Sequence, residues 1–367
     1  MNSAPRLEAI RRRLAEEELS AAVITRSANV TYLTGFDHIG DEEDPHVAVV
    51  TRESAILYTD SRYIEAASAQ AEGTEWKVAQ PAYPYVPSVA EALRSVLSGA
   101  GRAMVENSVA HRTFAEWSSS LAPLEVVAGA EWLERIRAVK DDEEIERIAR
   151  AQAIADMAWT HMLGWLQAGK TEREAALEID FTMRRLGADE VGFPTIVAAG
   201  PNGSKPHAVP GDRPMVRGDL VTFDFGAKVG GYHSDMTRTV AIGEVSDAAR
   251  TMYETVLAAN LAGVTAVRAG AAGSAVDRAA RDVIEAAGMG EFFGHGTGHG
   301  VGLAIHEYPN ASPRSDWTLE AGMVVTVEPG IYIPGEAGVR IEDLVVVTKE
   351  GARVLSTSPR DLHVVDR

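Results

Sequence analysis

Asp224, Asp235, Glu328 and Glu342 sit within or at the ends of runs that otherwise read as buried strand: V-T-F-D-F-G, Y-H-S-D-M-T-R-T, V-T-V-E-P-G and V-R-I-E-D-L. An ionised carboxylate in an apolar interior needs a partner, or it loses its charge. The four segments must therefore face solvent, find a basic partner or converge on shared cations, and few folds do the last. His299 is the nitrogen donor that accompanies them. It lies in F-G-H-G-T-G-H-G-V-G-L, where glycines 294, 296, 298, 300 and 302 leave the backbone bare. Such a run folds only if something packs closely against it. Four acids with one imidazole suit a pair of hard or borderline divalent metals.

The first two acids can be placed relative to each other. Segments 221–225 and 232–239 read as strands joined at Gly230 and Gly231, a two-residue turn that tolerates positive φ. With that turn Asp224 faces Thr237, and Asp235 shares its face diagonally, roughly 7 Å away at the backbone. Without a cation between them the two charges repel; the plainer alternative is a pair of exposed aspartates. Glu328 ends the apolar strand 323–327, just before Pro329 and Gly330. Around Glu342, period two puts Arg340, Glu342 and Leu344 on one face and Ile341, Asp343 and Val345 on the other. Arg340 could then satisfy Glu342 alone, as an ion pair. His207, His295 and His306 are candidates for contacts around the metals or with substrate, each equally readable as an ordinary structural histidine.

The chain has 367 residues, enough for two domains, and its 53 acids against 35 bases give a formal charge of -18. That charge argues against nucleic-acid binding and for a cytoplasmic protein. Cysteine is absent, which removes thiolate ligands and a cysteine nucleophile. The opening M-N-S-A-P-R-L-E-A-I-R-R-R-L lacks an apolar signal core, and no window holds about 18 consecutive apolar residues.

Residues 1–131 read as an α/β unit: a helix over 7–18, strands at 21–25, 46–51 and 55–58, and helices near 61–71 and 88–98. Between the first strands lies the acidic cluster G-D-E-E-D-P at 40–45, with Asp41 and Asp44, read as a solvated loop or as one that reaches a substrate amine. The pattern over 131–168 predicts one long helix that opens the second domain, 132–367. Helices follow at 171–186, 247–268 and 274–287, separated by strands rather than alternating with them, which predicts α+β.

Together these segments resemble the metal-dependent peptidases of the pita-bread fold: aminopeptidase P, prolidase and methionine aminopeptidase. The resemblance covers essentially the whole chain and implies a creatinase/prolidase-like α/β domain followed by an α+β pita-bread catalytic domain. Y-L-T-G-F at 32–36 and T-D-S-R-Y at 59–63 are similar to the extra domain of the Xaa-Pro-cleaving branch, which methionine aminopeptidases lack. Position by position, the resemblance implies that Asp224 binds one metal, that Asp235 and Glu342 bridge both, and that His299 and Glu328 complete the other. It gives His207, His295 and His306 to substrate and transition state, and Arg340 and Tyr332 to the surrounding support. Phe193 and Tyr332 are expected walls for a proline ring, with His207 and His306 beside the scissile carbonyl and Glu328 as proton shuttle. Two divalent metals, manganese foremost and cobalt or zinc as alternatives, would activate water and polarise that carbonyl.

The implied substrate is a small peptide with proline second, and the implied assembly a homodimer. An Xaa-Pro dipeptidase is the main expectation, an aminopeptidase P acting on longer peptides the alternative, and a catalytically silent binding protein a remote third. Some prolidases carry an arginine four residues after the position of His306. Here that residue is Asn310, and the nearest base is Arg314, so the recognition of a substrate carboxylate is open.

Overall fold

Residues 3–37, 46–97, 101–129 and 131–366 are described by a computed structural model of the chain. The acidic cluster at 40–45 lies outside them. The chain divides into two compact units, Met1–Arg137 and Ala138–Arg367. The junction expected between 131 and 132 falls where the helix Trp132–Ala138 begins.

In the first unit, the helix Ala4–Glu16 buries Leu7, Ile10 and Leu14, the i, i+3, i+7 stripe of an amphipathic helix. A six-stranded mixed sheet runs in the order Trp76–Ala79, Ala55–Tyr58, Val47–Thr51, Ala21–Ile24, Arg102–Glu106, Glu125–Gly129. Ala21–Ile24 pairs antiparallel with Val47–Thr51 and parallel with Arg102–Glu106, so this is the α/β unit expected. Its alternate side chains Val23, Val49 and Val105 pack with Leu93 and Trp117 from two helices.

The single helix expected over 131–168 is not formed. Helix Trp132–Ala138 stops, and Asp142–Trp165 starts afresh. Asp141 caps the new helix: its carboxylate accepts from Glu144 N, while the Glu144 side chain accepts from Asp141 N. That reciprocal box satisfies two otherwise orphaned donors and fixes the start. A charged run with good helix propensity conceals the break, because D-D-E-E reads equally as helix interior.

Helices Asp142–Trp165 and Glu172–Arg185 cover a four-stranded sheet ordered His363–Val365, Met236–Ile242, Leu220–Phe225, Ile196–Ala199. Trp159 anchors this layer edge-on to Phe223 at 5.3 Å and stacked on Phe225 at 5.8 Å. Helices Asp247–Ala266 and Gly273–Ala286 supply Val256, Val276, Ala280 and Ile284 to the apolar cores around Val325, Val327, Ile331, Ile341 and Val345. The second large sheet is five-stranded, ordered Glu307–Ala311, Gly298–Gly300, Val324–Val327, Asp343–Val347, Ala352–Val354.

The hairpin register is the one its turn dictates: Asp224 stands opposite Thr237, and Lys228 opposite His233. Gly230 and Gly231 both have positive φ, 55° and 83°, as a type I′ turn requires. The strand reading around Glu342 fails. Ala337–Arg340 pairs with Gly330–Ile333 in a two-stranded ribbon, and Asp343–Val347 belongs to the five-stranded sheet. Ile341 and Glu342 are the seam between them, so the period-two face grouping Arg340, Glu342 and Leu344 does not exist.

Candidate metal centre

Asp235, His299 and Glu342 each offer one ligand atom, and the three atoms lie within 4.8 Å of one another. Three different stretches bring them there: the end of the hairpin, the glycine run and the sheet seam. Asp235 is 4% exposed and Glu342 2%. Glu328 Oε1 is 3.3 Å from His299 Nε2, and Asp235 Oδ2 is 3.5 Å from the same nitrogen. Asp224 stands beside this group with Oδ2 bound at 2.7 Å by Arg340 Nη2.

Each ligand-bearing stretch is held from behind. Gly298 lies so close to the neighbouring strand that a Cβ there would come 2.0 Å from Thr326 O, which is why the run tolerates no side chain at this point. Asp277 accepts from Thr297 N and Oγ1, and Arg281 donates to the Phe293 and His295 carbonyls, so one helix turn fixes the approach to His299. Thr326 Oγ1 accepts from His299 N at 3.0 Å and donates to Glu328 Oε1 at 3.2 Å. His299 Nδ1 donates to Gly300 O at 3.0 Å, which assigns the proton to Nδ1 and leaves Nε2 as the lone-pair donor facing the acids. Asn260, fully buried, donates through Nδ2 to both Val327 O and Ile341 O, tying together the strand ends that precede Glu328 and Glu342.

At the seam, Glu342 N donates to Thr237 O at 3.1 Å, and its carbonyl accepts from Arg238 Nη1 at 2.5 Å. Thr237 Oγ1 donates to Glu342 Oε2 at 2.7 Å and accepts from Arg340 Nε at 3.0 Å. The alternative of an Arg340–Glu342 ion pair is not realised. With residues 341–342 out of the ladder, Arg340 turns to Asp224, Thr237 and Tyr332 instead. The Tyr332 hydroxyl accepts from Arg340 Nη1 at 2.8 Å and lies 3.0 Å from His295 Nε2, and His295 Nδ1 is engaged with Gly296 O.

The electrostatics are those of a site built for added positive charge. Burial, then the neighbouring Glu342 and Asp224 carboxylates, pushes Asp235 well above the usual carboxylate range. Burial, then Glu328 and Asp224, does the same to Glu342. Glu328 is also raised, chiefly by burial. Burial lowers His299 and His295, and partial burial lowers the more open His306. Asp224 Oδ1 and Glu342 Oε1 are buried without a hydrogen-bond partner, although the other oxygen of each is tightly held. Buried carboxylate oxygens without a hydrogen-bond partner, grouped with an imidazole lone pair, fit divalent cations.

The remaining residues singled out in the sequence are spread around this group. His306 is exposed and stands edge-on to His299, with ring centroids 4.3 Å apart. His207 is exposed on the segment after the 3₁₀ turn Gly200–Ser204, within electrostatic reach of His306. Phe193 is half-buried, its Cε1 against the bare face of Gly226. Tyr332 is buried, with its hydroxyl turned toward Arg340 and His295. Thr237, Arg238, Asn260 and Thr326 were not legible as functional residues. Only Thr237 carried a signal, since hairpin parity sets it on the face of Asp224 and Asp235.

Two family models divide the chain as the fold does: the creatinase/prolidase N-terminal domain over residues 6–139 and metallopeptidase family M24 over 146–349. The chain belongs to metallopeptidase family M24. It is an enzyme, and its second unit is the pita-bread catalytic domain of that family. Among M24 relatives, the uncharacterized peptidase YqhT of Bacillus subtilis is 41% identical over 98% of this chain and 100% of its own. The Xaa-Pro dipeptidase structure from Bacillus anthracis superposes with a TM-score of 0.92 at 38% identity, covering 99% of this chain and 100% of that one. The X-Pro aminopeptidase structure from Thermotoga maritima gives 0.89 at 34% identity, covering 98% and 99%.

Proposed function

We propose that this M24 enzyme hydrolyses the Xaa-Pro bond of dipeptides with two divalent metals held by Asp224, Asp235, His299, Glu328 and Glu342. The observation that carries the reading is the pair of buried, unpartnered oxygens, Asp224 Oδ1 and Glu342 Oε1, in a group that also gathers Asp235 and His299. When bound, such metals lower the pKa of water and polarise a carbonyl. The donor set has no thiolate, which suits manganese, with cobalt and zinc as alternatives. A cytoplasmic homodimer completes the reading, and sedimentation tests its assembly.

The protein's own groups then have distinct tasks. Glu328, raised by burial and with Oε1 steadied by Thr326, takes a proton from the attacking water and returns it to the proline nitrogen as that bond breaks. A proline nitrogen has no hydrogen of its own, so its departure depends on this delivery. His306 and His207 donate to the carbonyl oxygen as negative charge develops there. His295 and Tyr332 form, with Arg340, a hydrogen-bonded wall that holds one oxygen of Asp224 and leaves the other for a metal. Phe193 lines the proline side.

Relatives named Xaa-Pro dipeptidase, including those of two Pyrococcus species at 33% and 34% identity, favour the dipeptide. The likeness to the X-Pro aminopeptidase structure favours longer peptides as the second reading. Incubation of the manganese-loaded protein with Ala-Pro and with Ala-Pro-Ala separates them. Cleavage of Ala-Pro alone is the expected result; cleavage of Ala-Pro-Ala selects the aminopeptidase, and cleavage of neither rejects both.

A further inference from the structure

Lys140 and Glu307 form an ion pair that none of these steps uses. They meet at 2.7 Å, with side chains 1% and 4% exposed. Lys140 Nζ also donates to Ala138 O at 3.3 Å. Taking two charges out of water costs about as much as their attraction returns, and a well-packed apolar pair would hold the interior equally well. Stability therefore gives no reason for the pair.

Its position does. Glu307 directly follows His306, and its Oε2 accepts from Ala304 N at 3.3 Å, curling residues 302–307 around the carboxylate. A Cβ on Gly302 would fall 2.3 Å from Glu307 Oε1, so the other limb of the curl rests on the same group. Gly302 O in turn receives His233 N at 2.9 Å. The register shifts between His299 and Gly300, and Gly300 pairs with Glu307, so His306 stands just past the end of the ladder. Its ring is nevertheless set 4.3 Å from that of His299. Lys140 reaches this place because the chain breaks between the helices Trp132–Ala138 and Asp142–Trp165. The capped break thus delivers a cation to the root of the His306 curl.

We propose that the buried Lys140–Glu307 pair is a positioning device for His306, setting its imidazole where it meets the substrate carbonyl. This rests on the reading of His306 as a substrate contact. The test is the charge-free double variant Lys140→Met/Glu307→Met, alone and combined with His306→Ala. Its melting temperature and its manganese affinity by titration calorimetry stay close to wild type, while kcat on Ala-Pro falls about tenfold. In the His306→Ala background the same pair of changes costs less than about twofold, because residues that act as a unit are not additive. Unchanged kcat, an equal loss in both backgrounds, or a loss traced to metal affinity overturns the proposal. If the double variant does not fold, Glu307→Gln enters the same cycle.

The imidazole NMR spectrum gives a reading independent of turnover. The His306 signal shifts or broadens in the double variant while that of exposed His161 stays; an unmoved His306 signal also overturns the proposal. Wild-type protein that cleaves neither peptide rejects the function above, and the spectrum still decides the positioning role.

Discussion

Thr237 joins the two halves of the charge problem. One hydroxyl accepts from Arg340, which neutralises Asp224, and donates to Glu342, leaving its other oxygen unpartnered. Groups that orient a ligand from behind are worth about 10–100-fold in metal affinity. Thr237→Val is therefore expected to weaken manganese binding by about that much, and Thr237→Ser by no more than about threefold, measured by titration calorimetry. The raised carboxyls make a second prediction. Unfolded, Asp235 and Glu342 ionise near pH 4; folded and metal-free, burial and like charges hold them protonated to higher pH. The folded state then binds more protons across that interval, so its stability falls as pH rises through it. Chelated protein should lose melting temperature as pH rises above about 4, the unfolded carboxylate value, while protein in excess manganese shows a flatter or opposite slope by scanning calorimetry. A flat curve for the chelated protein would count against buried, mutually repelling acids.

Elements differ in how plainly the sequence announces them. The hairpin was legible because Gly-Gly selects one turn, the turn fixes the register, and the register puts Asp224 opposite Thr237. The helix over Glu172–Arg185 was legible for a similar local reason, an amphipathic pattern with its own cap. The seam at Ile341 and Glu342 was not. Both flanking strands have ordinary strand patterns, and what separates them is a pair of bonds to a distant segment, Glu342 N to Thr237 O and Arg238 to Glu342 O. No local propensity encodes such a switch, so period two left open a pairing of Arg340 with Glu342 that does not form. Asn260 was hidden for the same reason, being one polar residue inside a helix whose use depends on two remote carbonyls. Asn260→Leu should cost about 2–3 kcal/mol in urea denaturation by stranding those carbonyls, and should lower kcat as the ends before Glu328 and Glu342 part. A change within 0.5 kcal/mol, roughly the scale of an ordinary surface substitution, would mean the carbonyls find other donors.

Every side chain assigned to the metals or to substrate lies between residues 193 and 342, within the unit Ala138–Arg367, which also has its own apolar cores. A chain of residues 138–367 should therefore fold and bind manganese within about tenfold of the full protein, read by calorimetry and circular dichroism. Failure to fold would show that the first unit contributes to stability as well as to the family pattern. The two-unit plan was legible in the sequence, since both the change from α/β to α+β and the motif order announce it. The pair Lys140–Glu307 was not, because residues far apart in sequence meet only after folding. The seam also bears on how the molecule yields. A ligand set at the junction of two sheets acts as a rivet once cations are seated, since shearing the ribbon Gly330–Arg340 against the strand Asp343–Val347 would pull Glu342 away from His299 and Asp235. Withdrawal of the metal should then quicken hydrogen exchange first at the amides of residues 341–344, well before the two sheets themselves come apart.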